Sequence, residues 1–349
     1  ENCRLALKSW LKCPKYWKKY QLKMKKAQEI RPERDMVLSS IYFPEAVPSY
    51  NIHKEWGWEY NNRFADIKVE RRKDIFVQPD FMRLVGYFLA EGNVDHNHYV
   101  TFSLHESEEE YINEIIWLMK EYFDSKGPYF GKYTKGKCIS VKFCSRLANL
   151  FFTDLGKKAP NKKLLPWMLE LPIKHQKELL KGLFRGDGWE NQNESVLATT
   201  SRTLANQVYL IVERLGSFPR LFKREPNKGN FCKEAEAWII GKHQCYYVGV
   251  SRGDAYQIGL RKDSLIIRGK HSEGWRWNGF VGRKVREVET VSSDGFVYDL
   301  TMNNSPYFWA NGLRISNSVY YEYGTIHVQP LLMLTVPVQE MRGEMENYL

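Results

Sequence analysis

An α+β fold built on an internal repeat is what this sequence predicts, and three observations carry the prediction. Two short apolar runs, Leu84 to Gly92 and Leu180 to Gly188, share one design: small residues four apart (Gly86 and Ala90; Gly182 and Gly186) and a close on an acid followed by Gly. The acids, Glu91 and Asp187, stand 96 residues apart (187 − 91), and the strand and long amphipathic helix expected after each keep that offset closely. Beyond residue 281 the pattern turns to short alternating strands and turn signals, an all-β texture unlike the centre.

Taken in order, residues 1–30 carry nine Lys or Arg against two acids, interleaved with Trp10, Tyr16, Trp17 and Tyr20. That alternation suits the solvated face of twisted strands, with a nucleic-acid contact as the alternative. Ala27 to Leu38 reads as a turn and then a strand, and 1–43 as one segment. Residues 44–77, with Pro44, Pro48 and Trp56-Gly57-Trp58, read as an irregular linker. From Gln78 the expectation is a helix at 80–91, a strand at 98–103 and a helix at 107–124, where Tyr111, Ile112, Ile115, Ile116 and Met119 fall at helical spacing. Strands near 128–133 and 137–143 and a helix at 144–155 complete a first half, 78–160. A hinge rich in Lys and Pro, Gly156 to Pro166, leads to the second half, 161–270. There a helix is expected at 176–187, a strand at 195–200, a helix at 202–215 and strands near 218–224 and 236–250. The shared register argues for a pseudo-twofold domain of two αββαββα-like halves. In 281–317, Val285 to Val291 alternates, Ser293-Asp294-Gly295 is a turn, Phe296 to Thr301 a strand, and Tyr307 to Ile315 a hairpin about Asn311-Gly312. The tail 318–349 has a different texture again.

With 43% hydrophobic and 27% charged residues in 349, the chain is globular rather than disordered or fibrous. A net charge of +11, pI ≈ 9.2, favours an anionic partner, nucleic acid first. The six cysteines form no Cys-x-x-Cys pair and read as reduced thiols of an intracellular, cytoplasmic protein. No apolar run reaches the roughly 18 residues of a membrane span, and no signal peptide is visible. The chain opens at Glu1 rather than Met, and an upstream portion is expected.

Small residues four apart share one helix face and let two backbones approach closely, so Gly86, Ala90, Gly182 and Gly186 predict a helix-helix seam. The acid then stands at each helix's C-terminal end, where the dipole disfavours a carboxylate. Two carboxylates sharing a site bind a divalent cation and otherwise repel. The plain alternative is that both acids cap solvated helix ends. His96 and His98 have no third ligand nearby in sequence and read as loop or strand-start residues.

These acid-ending runs resemble the paired LAGLIDADG (dodecapeptide) motifs of homing endonucleases, and Asn161 to Pro166 resembles the block before the second motif in endonucleases lodged in inteins. Val297 to Thr301, Phe308 to Gly312 and Ile315-Ser316-Asn317-Ser318 resemble the C-terminal splicing blocks of an intein, and Ala27 to Leu38 a strand-turn segment late in its N-terminal half. The chain departs from that pattern in lacking the N-terminal splicing block, and in carrying Ser316 and Pro306 where histidines are expected. The resemblance implies a pseudo-twofold endonuclease domain inserted in a partial all-β Hint/intein domain, with 318–349 as host (extein) sequence. It implies a monomer that cuts both strands of double-stranded DNA, using Mg²⁺ or another divalent cation held by Glu91, Asp187 and the carbonyls of Ala90 and Gly186. Lys162, with Lys163 beside it, is the basic group implied near the scissile phosphate, with Lys262 near the corresponding place. Lys132, Lys135, Lys137, Lys142, Arg202, Arg220, Lys223 and Arg224 are DNA-contact candidates on strands that enter the major groove. At the other chemistry, Asn317 would cyclise, Ser318 act as nucleophile and Asp299 assist. The alternatives are a non-cleaving DNA-binding protein of the same fold, and a splicing element with an inert endonuclease.

Overall fold

The computed structural model describes residues 36–40, 51–62, 65–95, 98–132, 137–226, 229–232, 237–239, 242–262, 274–277, 280–284, 307–310 and 313–316. The expectations for residues 1–30, 285–301 and 317–349 therefore lie outside the described residues, as do Lys135 and His96. The chain divides into two compact units: one takes its described strands from within Glu1–Tyr42 and Glu273–Leu349, the other lies within Phe43–Ser272.

In the first unit, β1 (Met36–Ser40) pairs antiparallel with β15 (Phe280–Lys284) along its whole length and with β17 (Leu313–Ser316) at Ser39↔Leu313. With β14 (Gly274–Trp277) and β16 (Tyr307–Ala310) the order is β14-β15-β1-β17-β16. One strand thus precedes the other unit in sequence and four follow it. The β16–β17 hairpin stands where the Asn311-Gly312 turn placed it.

In the second unit, the segment expected to be an irregular linker holds a long hairpin. β2 (Asn51–Asn62) and β3 (Ala65–Phe76) pair in unbroken register from Asn51↔Phe76 to Asn62↔Ala65. Pro44 and Pro48 fall before β2 in the sequence.

Two matched halves follow. The first runs α1 (Pro79–Glu91), β4 (Gly92–Val94), β5 (Tyr99–His105), α2 (Glu109–Phe123), β6 (Lys126–Lys132), β7 (Cys138–Cys144) and α3 (Arg146–Asp154). After the short helix α4 (Pro166–Leu169) the second runs α5 (Ile173–Asp187), β8 (Gly188–Glu190), β9 (Glu194–Thr199), α6 (Arg202–Arg214), β10 (Arg220–Arg224), β13 (Cys245–Ser251) and α7 (Arg252–Gln257). The sheets are β4-β5-β7-β6 and β8-β9-β13-β10, the same order twice. An extra ribbon, β11 (Asn230–Cys232) with β12 (Ala237–Ile239), lies between β10 and β13 only in the second half. It lengthens the start-to-start offset from 94 residues at β6/β10 (220 − 126) to 107 at β7/β13 (245 − 138).

Each sheet buries one face. β5 alternates, with Val100, Phe102 and Leu104 buried, and Val141 and Phe143 of β7 join them. The first half's core is aromatic: Phe88 stacks on Phe152 at 4.2 Å, and Phe81, Phe102, Phe123, Phe143 and Phe151 pack around them. The second half's fully buried core is aliphatic, drawn from Leu197, Leu204, Val208, Ile211, Val248 and Val250 among others.

Candidate active site

The two acids owe their positions to α1 and α5. A Cβ on Gly86 would fall against the carbonyl oxygen of Leu179, 2.8 Å from Leu183 N and 2.9 Å from Gly182 Cα. A Cβ on Gly182 would fall against the carbonyl of Arg83, 2.9 Å from Tyr87 N and 3.0 Å from Gly86 Cα. Leu179 and Leu183 are Arg83 and Tyr87 advanced by 96, so the contact is reciprocal in the way of a twofold dimer interface. One turn on, a Cβ on Gly186 would lie 2.5 Å from Ala90 Cβ and 3.1 Å from Glu91 Cγ, which brings Gly186, Ala90 and Glu91 together. The glycine after each acid is required as well. At Gly92 and Gly188 the chain leaves the helix directly into a strand, and a Cβ there would collide with the backbone of Phe88 or Phe184.

Burial pushes the Glu91 carboxyl up to about 7, with Glu108 adding repulsion. Burial likewise pushes Asp187 up to about 7; Glu91 raises it further and Lys162 pulls it back. Two half-buried, mutually repelling carboxylates at the negative ends of two helix dipoles are compensated only in part by Lys162, and a hard divalent cation would relieve what is left. The residues present fit such an ion, with oxygen donors from both side chains. Among the described residues no group of three or more His, Cys, Asp or Glu is placed to hold a metal, so the remaining donors would come from backbone carbonyls and water.

Lys162 is set by a tight loop. Gly156 takes φ +102°, Ala159–Asn161 makes a 3₁₀ turn, and Lys163 N donates to Leu155 O at 2.9 Å. The Lys162 side chain, 3% exposed, runs inward: Nζ donates to Phe88 O at 3.0 Å and Gly92 O at 2.8 Å and lies 3.5 Å from the Phe88 ring centroid. It thereby ties off the carbonyls at the end of α1. Burial holds its pKa down to about 7, against the pull of Asp187.

The other sequence-chosen residues scatter. Lys142 stands on β7 with Nζ 4.9 Å from the Tyr99 ring centroid. Arg220 and Lys223 stand on β10, where Arg220 pairs with Glu194. Arg202 is exposed at the start of α6 rather than on a strand, Lys132 ends β6, and Lys262 is exposed beyond α7. Lys163 is half-buried next to Lys162. Asn317, Ser318 and Asp299 lie outside the described residues.

Sequence reasoning missed a carboxylate hub. Glu114 on α2 accepts from Arg83 Nη2 (2.8 Å), Arg185 Nη1 (2.7 Å) and Tyr87 Oη (2.6 Å), while Arg83 also pairs with Glu178. Arg185, two residues before Asp187, is thereby tied to the first half. Only its place inside an apolar helical run marked it in the sequence.

Comparison with known proteins finds a family match over part of the second half. Residues 174–251 match the LAGLIDADG-like domain family. The uncharacterized protein MJ0043 of Methanocaldococcus jannaschii is 31% identical over 246 residues, 68% of this chain and 30% of that protein. The ATP-dependent DNA helicase Hel308 of Thermococcus kodakarensis is 26% identical over 253 residues, 68% of this chain and 21% of the helicase. The chain thus spans less than a third of the length of these curated relatives. The structure of the homing endonuclease I-DmoI in complex with DNA and Mn aligns with a TM-score of 0.37 at 12% identity, over 53% of this chain and 98% of that one. Among the described residues no helix is long and apolar enough to cross a membrane. What the comparisons attach to this chain is a LAGLIDADG-like domain across α5 to β13.

Proposed function

We propose that residues 78–270 form a site-specific DNA endonuclease that makes a metal-dependent double-strand break. The observation that carries this reading is the pair of half-buried acids closing two helices related by the 96-residue repeat. A pseudo-twofold pair of acids matches the two antiparallel strands of a duplex, and the net charge of +11 suits a polyanion. Mg²⁺ or another divalent cation bound there would acidify a water and neutralise charge on the scissile phosphate. The chain's own part is to hold that ion. Glu91 and Asp187 would supply carboxylate oxygens, and the carbonyls of Ala90 and Gly186, the residues before them, would add donors. Lys162 spends two of its three donors on the end of α1, so its contribution is to fix that terminus and place positive charge beside Asp187.

The second part of the proposal is that this domain sits inside a partial Hint/intein unit, with Asn317, Ser318 and Asp299 as its C-terminal chemistry and 318–349 as host sequence. Two observations support it. One sheet draws β1 from before the domain and four strands from after it. Similar stretches also recur as a minor part of proteins with different names, as an inserted element would.

The test is incubation of the full chain with Mg²⁺ and a plasmid bearing the host gene without its insertion. Linear product, absent in chelator, is the expected result. Binding to that plasmid without cleavage in any divalent cation would leave a non-cleaving DNA-binding protein as the reading. Mass spectrometry of the longer precursor tests cleavage at Asn317-Ser318; intact precursor throughout would remove the splicing part.

A further inference from the structure

The outer face of the second sheet carries a feature that the acids do not explain. β10 and β13 pair with Phe222 opposite Tyr247, so alternation puts Arg220, Phe222 and Arg224 on the face of Tyr247, away from buried Val248 and Val250. The Phe222 and Tyr247 rings stack at 5.0 Å between centroids and 9° between planes. Trp189 of β8 meets Tyr247 edge-on at 5.7 Å. The Arg224 guanidinium rests on this stack, 5.1 Å from the Tyr247 centroid and 5.7 Å from that of Phe222. Its neighbour Arg220 is engaged by Glu194, whereas no ion pair to Arg224 occurs among the described residues. In the first sheet, Lys142 beside Tyr99 offers only a point charge.

A guanidinium lying on an aromatic platform has its plane restrained, so its fork of donors keeps a fixed direction. A fixed planar fork matches the O6 and N7 acceptors of guanine in the major groove, where a flexible cation would merely touch phosphate. Resting on the DNA-binding reading above, we propose that Arg224 reads a guanine of the target duplex, with Phe222 and Tyr247 as the platform that aims it.

The test selects duplexes from a random library with the full chain, Ca²⁺ replacing Mg²⁺, then repeats the selection with Arg224→Ala and Arg224→Lys, each checked for wild-type melting. The wild type is expected to enrich a site with a fixed G·C pair. Both variants should lose the preference at that pair alone, with affinity for the wild-type site down about tenfold. Placing 7-deazaguanine at that position should weaken the wild type by a similar factor and leave Arg224→Ala unchanged. Uniformly weaker binding with every base preference intact would make Arg224 a phosphate contact and overturn the proposal. Were the wild type to enrich no duplex sequence, the DNA reading itself would fall, an outcome distinct from loss at one base pair.

Discussion

The two halves follow one plan and fill their interiors from different classes of side chain. In the first, phenylalanines fill the interior and the outward face carries Thr101, Ser103, Ser140 and Lys142 with two tyrosines, Tyr99 and Tyr129. In the second, the interior is aliphatic and Phe222, Tyr247 and Trp189 stand on the outer face. Core volume can be filled by either class of side chain, which leaves the backbone plan intact. The outward faces are free to diverge. The shared seam of α1 and α5 therefore carries what the halves do in common, and the faces carry what distinguishes them.

The strongest way to break that division is at the seam's acids. Glu91→Gln and Asp187→Asn should each lower double-strand cleavage by about a thousandfold while leaving duplex affinity in place, read from plasmid linearisation and a mobility shift. Linear product from either variant at more than a few per cent of wild type would remove that acid from the chemistry. Next, Gly86→Val and Gly182→Val should cost similar amounts, about 4 kcal/mol or failure to fold, because each pushes a side chain into the facing helix backbone. Tolerance of one and not the other, by urea denaturation, would show the contact to be unsymmetrical.

The asymmetric element comes next. Lys162→Met should reduce cleavage about a hundredfold, whereas Lys262→Met, near the corresponding place in the second half, should change it less than about twofold. Equal losses would mean that each half uses its own lysine. The smallest effect is on stability without metal. Glu91 and Asp187 are raised in the folded state, so their contribution is present below pH 4 and lost as pH rises to about 7. Lys162 is lowered, so its contribution is lost as pH falls from about 10 through 7. Together these three groups place a stability minimum near pH 7, and Glu91→Gln should raise the metal-free Tm at pH 7.5 by about 3 °C. Added Mg²⁺ should stabilise the wild type more at pH 8 than at pH 6, since it binds the ionised acids; the reverse trend in thermal melts would count against the site.

What the sequence made readable was local. Gly86, Ala90 and Glu91 lie within one and a half helical turns, and so do Gly182, Gly186 and Asp187; the repeat of that cluster exposed both halves. The three-residue strands β4 and β8 are too short to show a period, and Trp56-Gly57-Trp58 together with nearby prolines hid the alternation of the β2–β3 hairpin. Lys162 could be chosen from its position before the second acid. That it points inward at the end of α1 depends on the Gly156 turn and on Phe88, 74 residues earlier. Glu114, and the stack beneath Arg224, exist only through contacts between distant strands and helices.

The reciprocal glycine contact raises a question of self-recognition. A surface that packs on its own equivalent would serve as well for two copies of the same half, in one chain or between neighbouring chains. The glycines cannot tell these arrangements apart; the charges can. Arg83 meets Glu178, and Glu114 meets Arg185, but the first half carries Met82 and Leu89 at the positions of Glu178 and Arg185 (178 − 96 and 185 − 96). Two first halves placed together would keep each Arg83–Glu114 pair but lose the cross-seam partners Glu178 and Arg185. The network around Glu114 thus adds two cross-seam ion pairs that the first half makes with the second and would not make with a duplicate of itself.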